Sequence, residues 1–365
     1  MPRGNWRGVV AATIVAGILA NGEFARADPP AALPAASPEP ELPVRDLTPP
    51  GFATDAPPVH PAYQGTPGHL TPSAPEEGGP FASAEFLILR PHRTAFDFVV
   101  PGDATGLVPS GAIRSLNYDL QPGVRAELGH RFGGTGWEAF FNYTYFHSSA
   151  FDSLRAPAGQ VLFPTLTKPG LTNTVLFAGA DANLEYNAYD LVLGKRFAVD
   201  EHFAVRMTGG LRFVSLHQAF HAYYDGLDAR AAAVSARSNF QGFGPILGGE
   251  AVWVGWKGFH LYARANGGLL SGQADNPLTE TNNAGRTVYA NTAYDIRKVV
   301  PMASAGVGAG WQYRTVTVRV GYEITNYFNA IEQPRFVDDV GVGKLTTRPS
   351  NLSLEGLFVQ LGVAF

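Results

Sequence analysis

Apolar and polar residues alternate with a period of two along most of the chain. In residues 137–147, for example, Trp137 and Phe141 fall on one face, and Glu138 and Asn142 fall on the other. Because successive side chains of a strand point to opposite faces, this alternation predicts strands rather than helices. The predicted strands cover 81–90, 115–132, 137–147, 183–197, 202–216, 235–253, 259–272, 295–312, 315–328 and 352–365.

The connections between these strands alternate in length along the chain. The short ones are 133–136, 198–201, 254–258 and 313–314. The long ones are about 91–114, 148–182, 217–234, 273–294 and 329–351. Outer-membrane barrels combine tight periplasmic turns with long outer loops in this way. The pattern therefore predicts an all-β fold, a transmembrane antiparallel up-and-down β-barrel of about ten strands, within a range of roughly 8 to 12.

The C-terminal strand ends on an aromatic residue, Phe365. Apolar residues occupy every second position before it: Val363, Leu361, Val359 and Leu357. This terminal pattern resembles the assembly signal of outer-membrane barrel proteins. We therefore expect Phe365, Val363, Leu361 and Val359 to be read by the barrel assembly machinery. The alternative, an ordinary last strand of a soluble β-protein, would not explain the alternating loop lengths.

The N-terminal region has the pattern of a secretory signal. Arg3 and Arg7 precede a short apolar run at residues 9–20, and Ala25 and Ala27 form a small-x-small cleavage site. A buried N-terminal helix is the alternative, but no amphipathic pattern follows. The predicted organisation is a signal peptide at 1–27, a Pro-rich disordered periplasmic segment at 28–80 and an outer-membrane barrel at 81–365.

Composition agrees with a barrel and excludes several other classes. The 365 residues include 42 Gly and no Cys, and only 16% are charged. Without Cys there is no disulfide, thiolate metal site or cysteine nucleophile. The mean hydropathy of −0.03 is far below that of a helical membrane bundle. A net charge of −4 gives no reason to expect nucleic acid as a partner. The expected partners are outer-membrane lipids and ions or small solutes.

The polar faces of the strands should line the lumen, because a charged side chain in hydrocarbon costs about 2–4 kcal/mol. The predicted lumen residues are Arg125, Glu127, Glu138, Asn142, Asp190, Arg206, Arg212, Glu250, Arg264, Arg319, Glu323 and Gln360. Two interpretations stay open for this mixture of charges. It lines a water-filled pore, or it forms a buried ion-pair network that closes a narrow barrel.

A few outer residues have the chemistry of a hydrolase. They are His147, Ser148, Ser149, His217, His221, Asp225 and Asp228. Catalysis would need a nucleophile, a His base and an orienting carboxylate brought together. No spacing here marks such a site, and His217 and His221 follow a strand rather than a helix that would pair them on a metal. We therefore predict no enzyme activity, no catalytic residue, no metal site and no cofactor.

Several short motifs resemble one known family. In chain order they are Ala84-Glu85-Phe86-Leu87, Tyr189-Asp190-Leu191, Gly210-Leu211-Arg212-Phe213, Phe240-Gln241-Gly242-Phe243-Gly244-Pro245 and Gly321-Tyr322-Glu323. They are similar to the pore-forming outer-membrane proteins related to the Legionella major outer membrane protein. The resemblance covers about residues 80–365, and it implies a pore-forming barrel with no catalytic residues.

The functional prediction is therefore passive passage of ions or small solutes through a porin-like barrel in the cell outer membrane, with the Pro-rich segment in the periplasm. A closed structural or adhesive barrel, acting through its long outer loops, is the main alternative. An outer-membrane hydrolase is a weaker alternative.

Overall fold

The computed structural model describes residues 78–93, 96–103, 108–336 and 345–365. The predicted signal peptide and nearly all of the Pro-rich segment lie outside these residues. The strands are β1 Gly79–Arg93, β2 Asp97–Pro101, β3 Arg114–Ser115, β4 Gln121–Phe132, β5 Trp137–Arg155, β6 Leu162–Pro164, β7 Phe177–Ala198, β8 Phe203–Gly226, β9 Ala229–Val254, β10 Phe259–Asn282, β11 Thr287–Tyr313, β12 Val316–Phe336 and β13 Leu345–Ala364. One 3₁₀ turn, Trp256–Gly258, joins β9 and β10. Within these ranges, no helix is both long and apolar enough to cross a bilayer.

Among the described residues, ten strands form one closed antiparallel barrel in the order β1, β13, β12, β11, β10, β9, β8, β7, β5 and β4. The barrel closes where β1 pairs with β13, with Glu85 opposite Gln360. β2, β3 and β6 form a separate three-stranded sheet. The predicted fold class, an up-and-down transmembrane barrel of about ten strands, is confirmed.

The stagger of the barrel follows from its register. The residues directly opposite one another on neighbouring strands can be followed around the barrel from Glu85. Through β13, β12 and β11 this path arrives at His260 of β10. In the other direction, through β4, β5, β7, β8 and β9, it arrives at Gly272 of β10, which is 12 residues further along the strand. With about 3.3 Å per residue and about 4.8 Å between strands, this stagger gives a tilt of about 40° and a backbone radius of about 10 Å. Long side chains from opposite walls can meet inside such a barrel.

The outer wall carries an apolar band between aromatic residues. Near the short turns, exposed rings include Trp137, Trp253, Trp256, Trp311, Tyr313 and Phe365. Further up, Tyr143, Tyr189, Phe213 and Phe243 lie directly opposite one another across four adjacent strands. Exposed aliphatic side chains lie between, among them Leu191, Leu193, Met207, Leu247, Leu261, Val307 and Leu361. This is the surface by which a barrel sits in a membrane.

The strands extend further outward than the sequence pattern predicted. Residues 217–234 and 273–294 were predicted as long loops, but most of them continue β8, β9, β10 and β11, which reverse at tight turns. In the opposite sense, the predicted strand 115–132 begins only at Gln121. Leu116 and Tyr118 instead pack into an apolar core at the outer end of the barrel. The short turn 133–136 lies where it was predicted, and the predicted turn 313–314 lies one residue later, at 314–315.

Candidate functional site

Four charged side chains from four strands meet in the lumen. This central cluster consists of Glu85 on β1, Arg125 on β4, Arg264 on β10 and Glu323 on β12. Arg264 donates from Nη1 to Glu85 Oε1 at 2.9 Å and from Nη2 to Glu323 Oε2 at 2.6 Å. Arg125 donates from Nη1 to Glu85 Oε2 at 2.6 Å and from Nη2 to Glu323 Oε1 at 2.5 Å. Each carboxylate therefore contacts both guanidinium groups, and the charges balance.

The wall of the barrel is shaped to admit these side chains. Arg264 lies over the ring of Phe358, 4.1 Å from its centroid. A Cβ atom at Gly306 would come within 3.2 Å of Arg264 Nε. At Gly308, a Cβ atom would lie 2.6 Å from the Tyr262 hydroxyl. The glycines of β11 thus make room for large inward side chains of β10.

A second group, the upper cluster, lies towards the outer end. Arg212 donates from Nε to Asp190 Oδ1 at 2.6 Å and from Nη2 to Oδ2 at 2.7 Å. Its Nη1 approaches the Tyr327 hydroxyl at 3.4 Å, and that hydroxyl lies 2.8 Å from the Tyr186 hydroxyl. Asn142 Nδ2 approaches Asp190 at 3.4 Å. This bidentate arrangement fixes the planar guanidinium across the lumen.

Little space remains between the two clusters. Arg125, Arg212, Tyr186 and Thr144 line a cavity of about 10 Å³ there, together with Arg264. That volume holds about one water molecule. The described side chains therefore close the lumen at this level.

Two further groups lie towards the periplasmic end. Arg319 donates to Glu250 through Nη1 and Nη2, at 3.1 Å each, and lies 4.4 Å from the centroid of the Tyr262 ring. Below it, Glu138 contacts three arginines, Arg131, Arg196 and Arg206. Glu138 itself is 1% exposed.

The outer end of the lumen is apolar rather than charged. The connection between β1 and β4 folds inward, so that the ring of Phe96 stacks on Phe220 with centroids 5.0 Å apart. The Tyr224 hydroxyl donates to the main-chain oxygen of Phe98 at 2.7 Å. Arg93 donates to Gln218 at 2.6 Å. This outer core fills the barrel where the strands project beyond the apolar band.

Glu280 lies above this core, outside the membrane. It accepts a hydrogen bond from the Lys168 backbone N–H at 2.7 Å. Burial raises the pKa of its carboxyl above the usual range, although Lys168 opposes the shift. The contact holds the connection between β5 and β7 against the outer end of β10.

The structure places the twelve predicted lumen residues inside the barrel wall. The Arg125 side chain is 11% exposed. The other eleven residues are buried: Glu127, Glu138, Asn142, Asp190, Arg206, Arg212, Glu250, Arg264, Arg319, Glu323 and Gln360. Gln360 donates to the Ser83 hydroxyl at 3.0 Å. Of the predicted assembly residues, Val359, Leu361 and Phe365 are exposed on the outer wall or at its end.

Sequence reasoning missed four charged or titratable residues that belong to these groups. Glu85 completes the central cluster, Arg131 and Arg196 contact Glu138, and His260 lies 3.3 Å from Arg319 Nε. Glu85 carried a usable signal, because it alternates with Phe86 and Ile88 on a predicted strand. Arg131 and Arg196 lie near the ends of predicted strands, where the alternation of apolar and polar residues does not show which side chains face the lumen.

The candidate hydrolase residues are not assembled into a site. His217 hydrogen-bonds to Ser215 and Asn239, whereas His221 lies 3.5 Å from Asp181. Ser148 is fully buried in the wall of the barrel. Within the described part of the chain, no three histidine or acidic side chains are grouped as metal ligands.

The family model of the Legionella pneumophila major outer membrane protein precursor matches residues 74–365. The chain belongs to this family. The match covers the whole barrel, so the suspected resemblance is confirmed, and the protein is an outer-membrane β-barrel. No curated protein matches the chain.

Three solved structures are similar to the chain at low identity. The outer membrane protease OmpT from Escherichia coli has 10% identity and a TM-score of 0.46, covering 79% of this chain and 97% of its own. A Pseudomonas aeruginosa FadL homologue has 7% identity and a TM-score of 0.25, with coverage of 79% and 90%. The Pseudomonas putida toluene transporter TodX has 10% identity and a TM-score of 0.21, with coverage of 80% and 91%.

Proposed function

We propose that this family member is a porin-like channel for ions or small solutes, and that the described conformation is its closed state. The observation that carries the proposal is the central cluster, in which Arg125 and Arg264 bridge Glu85 and Glu323 across the lumen. Burying ion pairs gives little net stability, and apolar residues of similar volume often serve as well or better. A purely structural barrel would have little need of these charges at mid-membrane.

The pairing of the central cluster supports opening by exchange of partners. Each of the four charges contacts two partners, so one arginine–carboxylate contact can break while every charge keeps a partner. Leaving a buried charge wholly unpaired would cost several kcal/mol, roughly 3–5. An exchange of ion-pair partners among the four charges of the central cluster avoids that cost and lets water enter the lumen.

A closed structural or adhesive barrel is the second candidate. The observation that favours it is the apolar outer core, in which Phe96, Phe98 and Phe220 are buried inside the barrel. In that case the projecting strands and outer connections would be the functional surface. Under either candidate, we propose no catalytic role for this chain. We also propose that lipids and the barrel assembly machinery are its partners, and that the Pro-rich segment lies in the periplasm.

Ion flux from vesicles tests the proposal. The refolded protein should release small ions slowly, and Glu323→Gln should accelerate release, because it weakens the hold on Arg125 and Arg264. Glu355→Gln is the matched control, since Glu355 pairs with the exposed His92 rather than with the central cluster. Arg125→Lys, which keeps the charge but loses the bidentate pairing, is a second opening variant.

Folding of each variant is checked by its heat-dependent gel migration. Faster release by the folded cluster variants alone would support the channel. Release no faster than from empty vesicles, for the wild type and both cluster variants, would contradict it and favour the closed barrel.

A further inference from the structure

A small sheet and the chain that follows it cover the outer mouth of the barrel. This outer lid consists of β2, β3, β6 and residues 165–176. β2 pairs with both β3 and β6, so the connection between β1 and β4 and the connection between β5 and β7 are joined in one sheet. Phe98, Val99 and Leu162 of this sheet are fully buried. The lid therefore covers the mouth as one piece.

Two carboxylates of the barrel hold the last part of the lid. The Thr174 backbone N–H donates to Asp228 Oδ2 at 2.9 Å, in the turn between β8 and β9. The Lys168 backbone N–H donates to Glu280 Oε2 on β10 at 2.7 Å. Asp228 is exposed, whereas Glu280 is 1% exposed. Closing the lid over β10 therefore takes the Glu280 carboxyl group out of water.

Glu280 is incompletely paired in this position. Among the residues that the structure describes, no hydrogen-bond partner lies in reach of its other oxygen, Oε1. Burying an ionised carboxylate without full pairing is costly, whereas burying the neutral acid costs much less. A proton on Oε1 removes the charge, and Oε2 can still accept the hydrogen bond from Lys168. The closed lid therefore favours the protonated form of Glu280.

The neighbours of Glu280 do not cancel the effect of its burial. Directly opposite it lie Val234 on β9 and Ala290 on β11, which carry no charge. The titratable groups that act on it are Lys168 of the lid and Tyr224 of β8. Burial raises the pKa of the Glu280 carboxyl, although Lys168 opposes the shift. Because that pKa is raised, the closed lid binds the proton more tightly than an open lid, and acidification favours closure.

We propose that Glu280 is a pH-sensitive latch, whose protonation holds the outer lid over the mouth of the barrel and whose ionisation releases the segment around Lys168. Closure should be strongest below pH about 4.3, the ordinary pKa of glutamate, and should weaken as the pH rises towards the raised pKa of the closed lid. Glu280 lies on the part of β10 that projects beyond the membrane, so the latch responds to external pH. This inference goes beyond the proposed channel function, because the lid can open whether or not the lumen conducts.

Hydrogen exchange followed by mass spectrometry tests the latch on the full-length protein in non-ionic detergent. The readout is the protection factor of the Lys168 amide, from peptides that cover residues 165–173. Dividing the exchange rate of an unstructured peptide at each pH by the observed rate removes the chemical pH dependence of exchange. From about pH 4 to about pH 8, the wild-type protection factor should fall, by at most about tenfold per pH unit, because one proton leaves on opening.

Two variants of Glu280 separate the charge from the hydrogen bond. Glu280→Gln is neutral at every pH and keeps an oxygen that accepts from Lys168, so its protection factor should stay at the low-pH level of the wild type throughout. Glu280→Ala has no acceptor, so protection should be low and independent of pH, and this variant replaces Glu280→Gln if that one fails to fold. Glu332→Gln is the matched control, because Glu332 is a shielded external carboxylate that pairs with Lys298 rather than with the lid.

The proposal is overturned if the wild-type protection factor is independent of pH or rises with it. A pH dependence in Glu280→Gln equal to that of the wild type would overturn it as well, and so would loss of the pH dependence in Glu332→Gln. Conductance is no part of this readout, so a failure of the channel function and a failure of the latch are distinguishable.

Discussion

At the scale of single residues, the lumen is organised by pairing rather than by the sign of its charges. Arg212 has its own carboxylate in Asp190, and Arg319 has its own in Glu250. Arg264 instead connects two carboxylates, Glu85 on β1 and Glu323 on β12, whose strands flank β13. Its side chain is 1% exposed, so its contribution to stability depends on both partners.

Replacing Arg264 therefore has a distinctive energetic consequence. Arg264→Met should lower the free energy of unfolding by roughly 3–5 kcal/mol, because Glu85 and Glu323 would then share one arginine. Adding Glu85→Gln should recover part of the loss, since Arg125 and Glu323 then balance. Denaturant unfolding in detergent measures both effects. Arg237→Gln, on the exposed face of β9, is the control, and a loss for Arg264→Met no larger than for this control would contradict the assignment.

Sequence could predict which residues face the lumen, but not how they pair. Alternation with apolar neighbours placed Arg264 and Glu323 on inward faces, where the structure has them. Their shared contacts with Glu85 depend on the stagger of 12 residues around the barrel, which no single strand encodes. For the same reason, the contacts of Glu138 with Arg131, Arg196 and Arg206 became visible only when β4, β5, β7 and β8 were brought together.

At the scale of the strand, the polarity of the two faces inverts where the barrel leaves the membrane. Along β8, exposed Met207, Leu211 and Phe213 point outward in the lower part, whereas buried Leu216 and Phe220 point inward in the upper part. Lipid surrounds the first region and water the second, so the apolar face changes sides. A prediction based on apolar outward positions ends at that boundary, and this explains why residues 217–234 were predicted as a loop.

The inward-folded connection between β1 and β4 depends on the apolar outer core. Phe96→Ala should loosen it, because removing a buried ring costs about 3–5 kcal/mol. Limited proteolysis measures the effect: trypsin should cleave faster after the exposed Arg114 in the variant than in the wild type. Phe151→Ala is the control, since that ring is 73% exposed on the outer wall. Equal cleavage rates for wild type and Phe96→Ala would show that the core does not hold this segment.

At the scale of the whole molecule, two features define the barrel: the apolar band that faces lipid, and a lumen narrow enough for opposing side chains to meet. A radius of about 10 Å lies between barrels that side chains fill completely and wide porins with an aqueous channel. The lower lumen is closed by ion pairs and the outer end by an apolar core. A conducting state would require both to rearrange.

The apolar band can be tested by one charge placed in it. Leu247→Arg should reduce folding into lipid vesicles, because an arginine facing the middle of the bilayer costs about 2–4 kcal/mol. Leu247 is 72% exposed on the outer wall of β9. Ala293→Arg, on the part of β11 that projects beyond the membrane, should fold as the wild type does. Equal folding of the two variants would place the membrane elsewhere on the barrel.

Single-channel recording in a planar bilayer reports the opening of individual barrels, and therefore shows whether the lumen conducts. We expect brief, infrequent conductance steps for the wild type, and longer or more frequent openings of the same barrel in Glu323→Gln. Complete absence of conductance steps from the folded wild type and from Glu323→Gln would contradict the channel function, and the ion pairs of the lumen would then hold a permanently closed barrel.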